Sequence, residues 1–215
     1  MDVAIIDYQM SNLHSVQAAC SRVGLTSVVT PDPKQILTAK LAILPGVGAF
    51  GEAMHHLSKS GLDDCIRRFV DTGKPFIGIC LGLQLLFEES QEFGSHKGLG
   101  LFQGTVKKFS YCEEKRIRYP VPQVGWNRIQ QCRPWQDSLL RNNVDGEYMY
   151  FVHSYYVEPE DHSVIMASTV YGSQKYCSAV QQNNLFAIQF HPEKSGVCGL
   201  KLYEQMRQKI YVQVT

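Results

Sequence analysis

The sequence carries no excess of charge: 21 basic residues face 20 acidic ones among 215, a net of +1. A chain so balanced projects no field that gathers nucleic acid or an anionic membrane, so neither is expected as a partner. It has no apolar run long enough to span a bilayer, no low-complexity tract and no internal repeat, and no secretory leader is expected. Cysteine is present but unpaired in pattern. The seven cysteines, at 20, 65, 80, 112, 132, 177 and 198, include no C-x-x-C pair, and an odd number suits a reduced, cytoplasmic protein. No His/Cys cluster has metal-ligand spacing and no Walker-type lysine follows Gly46-Val47-Gly48, so neither a metal, a phosphate cradle nor any other cofactor is expected. At this length one domain spanning 1–215 is expected, with a full core.

The first ninety residues alternate strand and helix. Val3-Ala4-Ile5-Ile6-Asp7 reads as a buried strand ending in a polar residue. Ser11-Asn12 can cap the helix that follows, in which Leu13, Val16, Ala19, Cys20 and Val23 recur at helical spacing before Gly24. Ser27 to Thr30, Leu41 to Leu44 and Pro75 to Cys80 are further strands, with helical patterning near Phe50, from Leu62 to Val70, and from Leu81 to Glu89. This alternation predicts an α/β fold: a doubly wound, mostly parallel sheet with helices on both faces. From Gly104 onward β-type pieces dominate: Thr105 to Phe109, Asn127 to Gln130, Tyr148 to Val152, Val164 to Val170, Ser178 to Gln181 and Leu185 to Phe190. They predict an added, partly antiparallel region. Tyr155 to Pro159 and Asp161-His162-Ser163 read as turn-rich connections, and a last helix runs roughly Gly199 to Ile210.

The stretch with the most chemistry is Phe76-Ile77-Gly78-Ile79-Cys80-Leu81-Gly82-Leu83-Gln84. An apolar strand gives way to a helix at Gly-x-Cys-x-Gly, a nucleophile elbow with cysteine in the serine's place. Glycine at both flanks relieves the crowding of a sharp strand-to-helix turn, and a helix N-terminus favours thiolate over thiol. Such a nucleophile needs a base and a group that orients the base. His191 leaves a strand's end with Glu193 two residues on; His153, after Tyr150-Phe151-Val152, has comparable placement, and spacing alone does not choose between them. His14, His55 and His56 lie in helical stretches, His96 and His162 in loops. Acyl chemistry also needs donors for an oxyanion, expected from Leu81 and from the Pro45-Gly46-Val47-Gly48 loop, at Val47 and Gly48.

Taken together, Gly78-Ile79-Cys80-Leu81-Gly82 with Gln84, Leu44-Pro45-Gly46-Val47-Gly48, Val124-Gly125-Trp126-Asn127, Tyr150 to Tyr155 and Gln189-Phe190-His191-Pro192-Glu193-Lys194-Ser195 resemble the class I glutamine amidotransferases over nearly the whole chain. The resemblance implies a flavodoxin-like fold and a Cys80, His191, Glu193 triad that frees ammonia from glutamine through a γ-glutamyl thioester. It implies further that Gly48 and Leu81 amides serve the oxyanion, in a 46–48 segment that reorients when a partner engages. Gln84, Glu92 and the backbone at Ser154-Tyr155 would hold the glutamine head group. Ammonia released into neutral water is mostly protonated and no longer nucleophilic, so a partner must receive it directly. The members most similar in these motifs feed a (β/α)₈ cyclase subunit in histidine biosynthesis, which implies a heterodimer with Trp126, Asn127 and Lys194 at the interface. A paralogous subunit supplying another synthase, such as one that amidates a surface-polysaccharide sugar, would carry the same triad, and a non-catalytic regulatory subunit could keep the same fold. Where relatives tend to have D-Y-G-x-G-N-L, this chain has Asp7-Tyr8-Gln9-Met10-Ser11-Asn12-Leu13, and Gln123-Val124 stands where His-Met is common. A loop that needed φ > 0 at the replaced glycines is expected to change shape.

Overall fold

Strands in which every residue is buried need cover on both faces, and the first half of the chain supplies it. The computed structural model describes residues 1–9, 12–110, 112–114 and 117–212; the expected Ser11 cap, together with Met10, lies outside them. In order come β1 (Val3–Ile6), α1 (Leu13–Arg22), β2 (Ser27–Thr30), α2 (Pro33–Thr38), β3 (Leu41–Gly46), α3 (Phe50–Ser60), α4 (Leu62–Asp71), β4 (Phe76–Cys80) and α5 (Leu81–Leu85). Then follow β5 (Phe87–Ser90), β6 (His96–Lys97), β7 (Phe102–Lys108), β8 (Cys112–Glu114), β9 (Ile117–Tyr119), β10 (Gln123–Arg128), β11 (Gln130–Gln131), β12 (Tyr148–His153), β13 (Tyr155–Pro159), β14 (Ile165–Tyr171), β15 (Gln174–Gln182), β16 (Leu185–Ile188) and α6 (Gly196–Val212).

The main sheet runs β2-β1-β3-β4-β16-β15-β13-β7-β5-β6. Its first five strands are parallel, in the flavodoxin-type order, and β16 turns the sheet antiparallel by pairing with β15. Period-two alternation divides the core between the two faces. Ala4, Ala42, Leu44 and Phe76 pack with Ile36, Leu57 and Ile66 from α2, α3 and α4, whereas Ile5, Ile43, Ile77 and Ile79 pack with Val16, Cys20, Leu202 and Met206 from α1 and α6. A separate two-stranded ribbon, β10 with β12, stands beside this sheet. No helix among the described residues is long and apolar enough to cross a membrane.

Five sequence expectations change. The helix expected over Leu81–Glu89 ends at Leu85, because the carbonyls that would prolong it are taken: Leu85 O accepts the Leu99 amide, Leu86 O those of Leu101 and Phe102, and Phe87 O that of Gly100. Tyr155–Pro159 is a strand rather than a connection, paired antiparallel along β7 with alternate residues buried. The β piece expected over Asn127–Gln130 is the end of β10 and the start of β11, broken at Ile129. Asn12 precedes α1 without capping its backbone. The expected change of loop shape is not seen at Gln9, the described one of the two replaced glycine positions: it takes the left-handed conformation at φ 70, with its amide donating to Asp7 Oδ1 at 2.9 Å. A side chain there costs about 1 kcal/mol of left-handed strain.

The β4-to-α5 turn is the tightest packing in the parallel half. A Cβ on Gly78 would stand 2.9 Å from Gly82 O, and one on Gly82 would collide with the Leu44 carbonyl of β3. Gly61, the αL joint between α3 and α4, has open space around it despite its φ of 68. Gly82→Ala should therefore lose about 3 kcal/mol in urea unfolding although alanine favours helix, whereas Gly61→Ala should lose only about 1 kcal/mol; the reverse order would refute the close approach.

Candidate active site

Cys80 ends β4 at φ 55, ψ −107, a conformation strained for any residue with a Cβ. The turn lifts its sulfur out of the sheet and into a cavity of about 280 Å³ lined by Val47, Gly48, Leu81, Gln84, Glu92 and the Val152–Tyr155 segment. The expected oxyanion residues and head-group residues thus all reach one cavity. The parallel β4–β16 pairing brings the end of β16 alongside, and His191 follows it after Gln189-Phe190. His191 is stitched to β12 as well: its amide donates to Tyr150 O at 2.9 Å, and Ser195 Oγ bridges the His191 carbonyl and the Tyr150 amide.

Of the two candidate bases, His191 is the one beside Cys80. Its Nδ1 donates to Glu193 Oε1 at 2.7 Å, and both side chains are at most 2% exposed. That leaves Nε2 turned from the carboxylate, without a well-aligned hydrogen bond yet close enough to respond to the sulfur. Burial disfavours the imidazolium, but the negative charge of Cys80 and Glu193 outweighs it and holds His191 above the usual histidine range. His153 goes the opposite way. It is buried, its Nδ1 donates to Tyr155 O at 2.8 Å, its Nε2 meets the Tyr176 hydroxyl at 3.3 Å, and burial lowers its pKa to about 4. An imidazole kept neutral with both nitrogens engaged holds structure and is not poised to take a proton from a thiol.

Other placements are less as expected. Glu92 lines the cavity, but its Oε2 accepts the Phe50 amide at 2.6 Å and so tethers the start of α3. The Tyr155 carbonyl, expected to hold a ligand, is already the acceptor for Gln84 Nε2 and His153 Nδ1. Trp126 is 55% exposed with its ring 6.1 Å from that of Tyr150, over which Lys194 Nζ lies at 5.9 Å. Asn127 alternates to the opposite face of β10 and donates to Val170 O at 2.8 Å, away from that cluster. The short α5, barely a turn and a half, supplies only a fraction of the dipole expected from a nine-residue helix.

Two residues near the site were given no site role from sequence. Asn12 reaches Glu193 Oε1 with its Nδ2 at 3.5 Å and accepts the Ser15 hydroxyl at 3.0 Å, so its side chain steadies the carboxylate. Gln189, fully buried, places Nε2 3.6 Å from Cys80 Sγ. Its signal was period two, which sets it on the same side as His191.

The unfolded pKa of histidine is about 6.5 and that of native His153 about 4, so between these values the unfolded chain binds the extra proton. The contribution of His153 to stability is complete above about pH 6.5 and is lost as pH falls toward 4, by up to about 3 kcal/mol. An NMR titration of the His153 ring should find it neutral to below pH 5; a midpoint near 6.5 would contradict this environment.

Comparison with known proteins places the chain in a family. The class-I glutamine amidotransferase family profile matches residues 4–202. Imidazole glycerol phosphate synthase subunit HisH of Syntrophotalea carbinolica is 47% identical over 201 residues, 93% of this chain and 96% of that one. The protein of the same name from Chlorobium chlorochromatii is 44% identical over 200 residues, again 93% and 96%. A crystal structure of a glutamine amidotransferase superposes with a TM-score of 0.74 at 16% identity, covering 98% of this chain and 99% of the other, and at that identity it speaks to the fold alone. This chain belongs to the class-I glutamine amidotransferase family.

Proposed function

We propose that the chain is the glutaminase subunit of imidazole glycerol phosphate synthase, working in the cytoplasm as a heterodimer with a (β/α)₈ cyclase subunit. Its close relatives carry the name of that synthase, and a subunit requires a partner. The observation that carries the catalytic part is the buried line Cys80, His191, Glu193 at the wall of a small cavity. The Cys80 thiolate adds to the side-chain amide carbon of glutamine. Amides of the 46–48 segment and Leu81 receive the oxyanion, and the C–N bond breaks as His191 Nε2 gives its proton to the leaving nitrogen. Ammonia departs, and a γ-glutamyl thioester remains. Water then adds to the thioester with His191 taking its proton; glutamate leaves and the thiolate returns. Glu193 keeps the proton on Nδ1 throughout, so that Nε2 is always the atom that acts. The cyclase consumes the ammonia with a phosphoribosyl formimino carboxamide nucleotide, giving imidazole glycerol phosphate and AICAR.

The apolar outward face of the β10–β12 ribbon supports the partner's position. Val124, Trp126 and Tyr148 are 59%, 55% and 49% exposed and stand on the same face as Val152, which lines the cavity at Cys80. A partner seated there adjoins the point at which ammonia forms.

Cys80→Ala should lower glutamine hydrolysis by the assembled enzyme at least about a thousandfold; turnover near wild type would sink the triad and favour a regulatory role. Adding the cyclase's nucleotide ligand to the complex should stimulate glutamine hydrolysis, and its failure would favour the paralogous synthase. Trp126→Ala should weaken assembly roughly thirtyfold, as loss of an aromatic anchor worth about 2 kcal/mol does. Titration calorimetry against the cyclase checks this, an unchanged Kd placing the interface elsewhere.

A further inference from the structure

A side-chain amide has no fixed polarity, because its oxygen and nitrogen ends exchange by a half-turn. In the amides behind Cys80 one backbone carbonyl removes that freedom. Gln84 Nε2 lies 2.9 Å from Tyr155 O and 3.1 Å from Gln189 Oε1, and Gln189 Nε2 lies 3.6 Å from Cys80 Sγ. A carbonyl oxygen only accepts, so Gln84 must turn its NH₂ toward Tyr155. Its second N–H then meets Gln189, which must answer with oxygen, and the Gln189 nitrogen is left facing the sulfur. Turning Gln189 over would press two NH₂ groups together between side chains that are buried.

The Tyr155 carbonyl is itself held from behind. His153 Nδ1, 2.8 Å away, must donate to it, which leaves Nε2 of the neutral ring as its acceptor end, 3.3 Å from the Tyr176 hydroxyl. The Tyr176 hydroxyl in turn donates to Gln123 Oε1 at 3.0 Å, tying the ring pair to β10. Every link thus has one allowed direction from the Tyr155 carbonyl to the nucleophile, and both N–H groups of Gln84 are engaged, leaving its oxygen to face a ligand.

We propose that Gln189 is a catalytic residue: its side-chain N–H, oriented through Gln84 by the Tyr155 carbonyl, hydrogen-bonds the Cys80 sulfur and stabilises it as thiolate, both before attack and as the group that leaves when the thioester is hydrolysed. The sulfur needs such a donor. Helix α5 has only five residues, and besides the His191 imidazole the other near contact of Sγ, the Val152 carbonyl at 3.9 Å, accepts and so disfavours a thiolate. This role rests on Cys80 being the nucleophile.

Gln189→Met keeps the volume and removes the donor. In the assembled enzyme it should lower kcat for glutamine hydrolysis roughly 10- to 100-fold, as loss of a hydrogen bond to a charged atom does, with KM within about threefold. Iodoacetamide should also alkylate its Cys80 several-fold more slowly at pH 7. A purely structural Gln189 would cost stability but spare both rates per folded molecule, so wild-type kcat and alkylation in folded Gln189→Met overturn the proposal. The nucleophile itself is tested separately, since Cys80→Ala with retained turnover would sink that reading and not this geometry. Should Gln189→Met fail to fold, alkylating Cys80 in the wild-type protein must move the Gln189 side-chain amide resonances in an NMR spectrum; resonances that stay put overturn the proposal equally.

Discussion

The site depends on a backbone approach that leaves no room for a Cβ. Strand β4 can turn into α5 at Cys80 only because Gly78 faces the Gly82 carbonyl and Gly82 faces the Leu44 carbonyl of β3 with nothing between. Cys80 takes the strain of this turn as a positive φ, held by the strand before it, by the helix after it and by β3 and β16 on either side. A cysteine on a relaxed loop would bury or wander. Here the sulfur projects at the carboxyl end of a parallel strand, the edge at which open α/β sheets place their ligands.

Electrostatics then separates two histidines of similar sequence placement. His191 shares its proton with a buried carboxylate and faces a sulfur that can carry charge, so its cation is favoured despite burial. His153 faces a carbonyl and a phenol, both neutral, and burial wins. The same ring is thus favoured as a cation in one place and held neutral as a fixed hydrogen-bond donor in the other, which is how neighbouring titratable groups can divide their tasks. The neutral one is no spectator, for it pins the carbonyl from which the Gln84–Gln189 amides take their direction.

The antiparallel half of the protein serves this chemistry as a wall. Tyr155 stands at the start of β13 and Val152 near the end of β12, so the chain crosses the cavity between the main sheet and the outlying ribbon. One face of that ribbon continues from the cavity to exposed Val124 and Trp126, while its other face holds Gln123 and Asn127 against the body of the protein. The exposed apolar face and part of the lining of the cavity at Cys80 are therefore two parts of one small sheet.

The sequence by itself determined the parallel α/β half, the elbow at Cys80 and the two histidines worth weighing, because each is written in local terms: apolar runs of strand length, a glycine bracket, a polar residue at a strand's end. It could not decide where α5 stops, since the competing amides come from residues 99–102. Nor could it show that Tyr155–Pro159 is a strand, a matter of its pairing with β7, or that the Asn127 amide is taken by the Val170 carbonyl. The choice of His191 over His153 and the direction of the Gln189 amide belong to tertiary structure alone. Both turn on which charges and carbonyls lie within about 4 Å in a low-dielectric interior, and residues more than a hundred positions apart in the chain meet there.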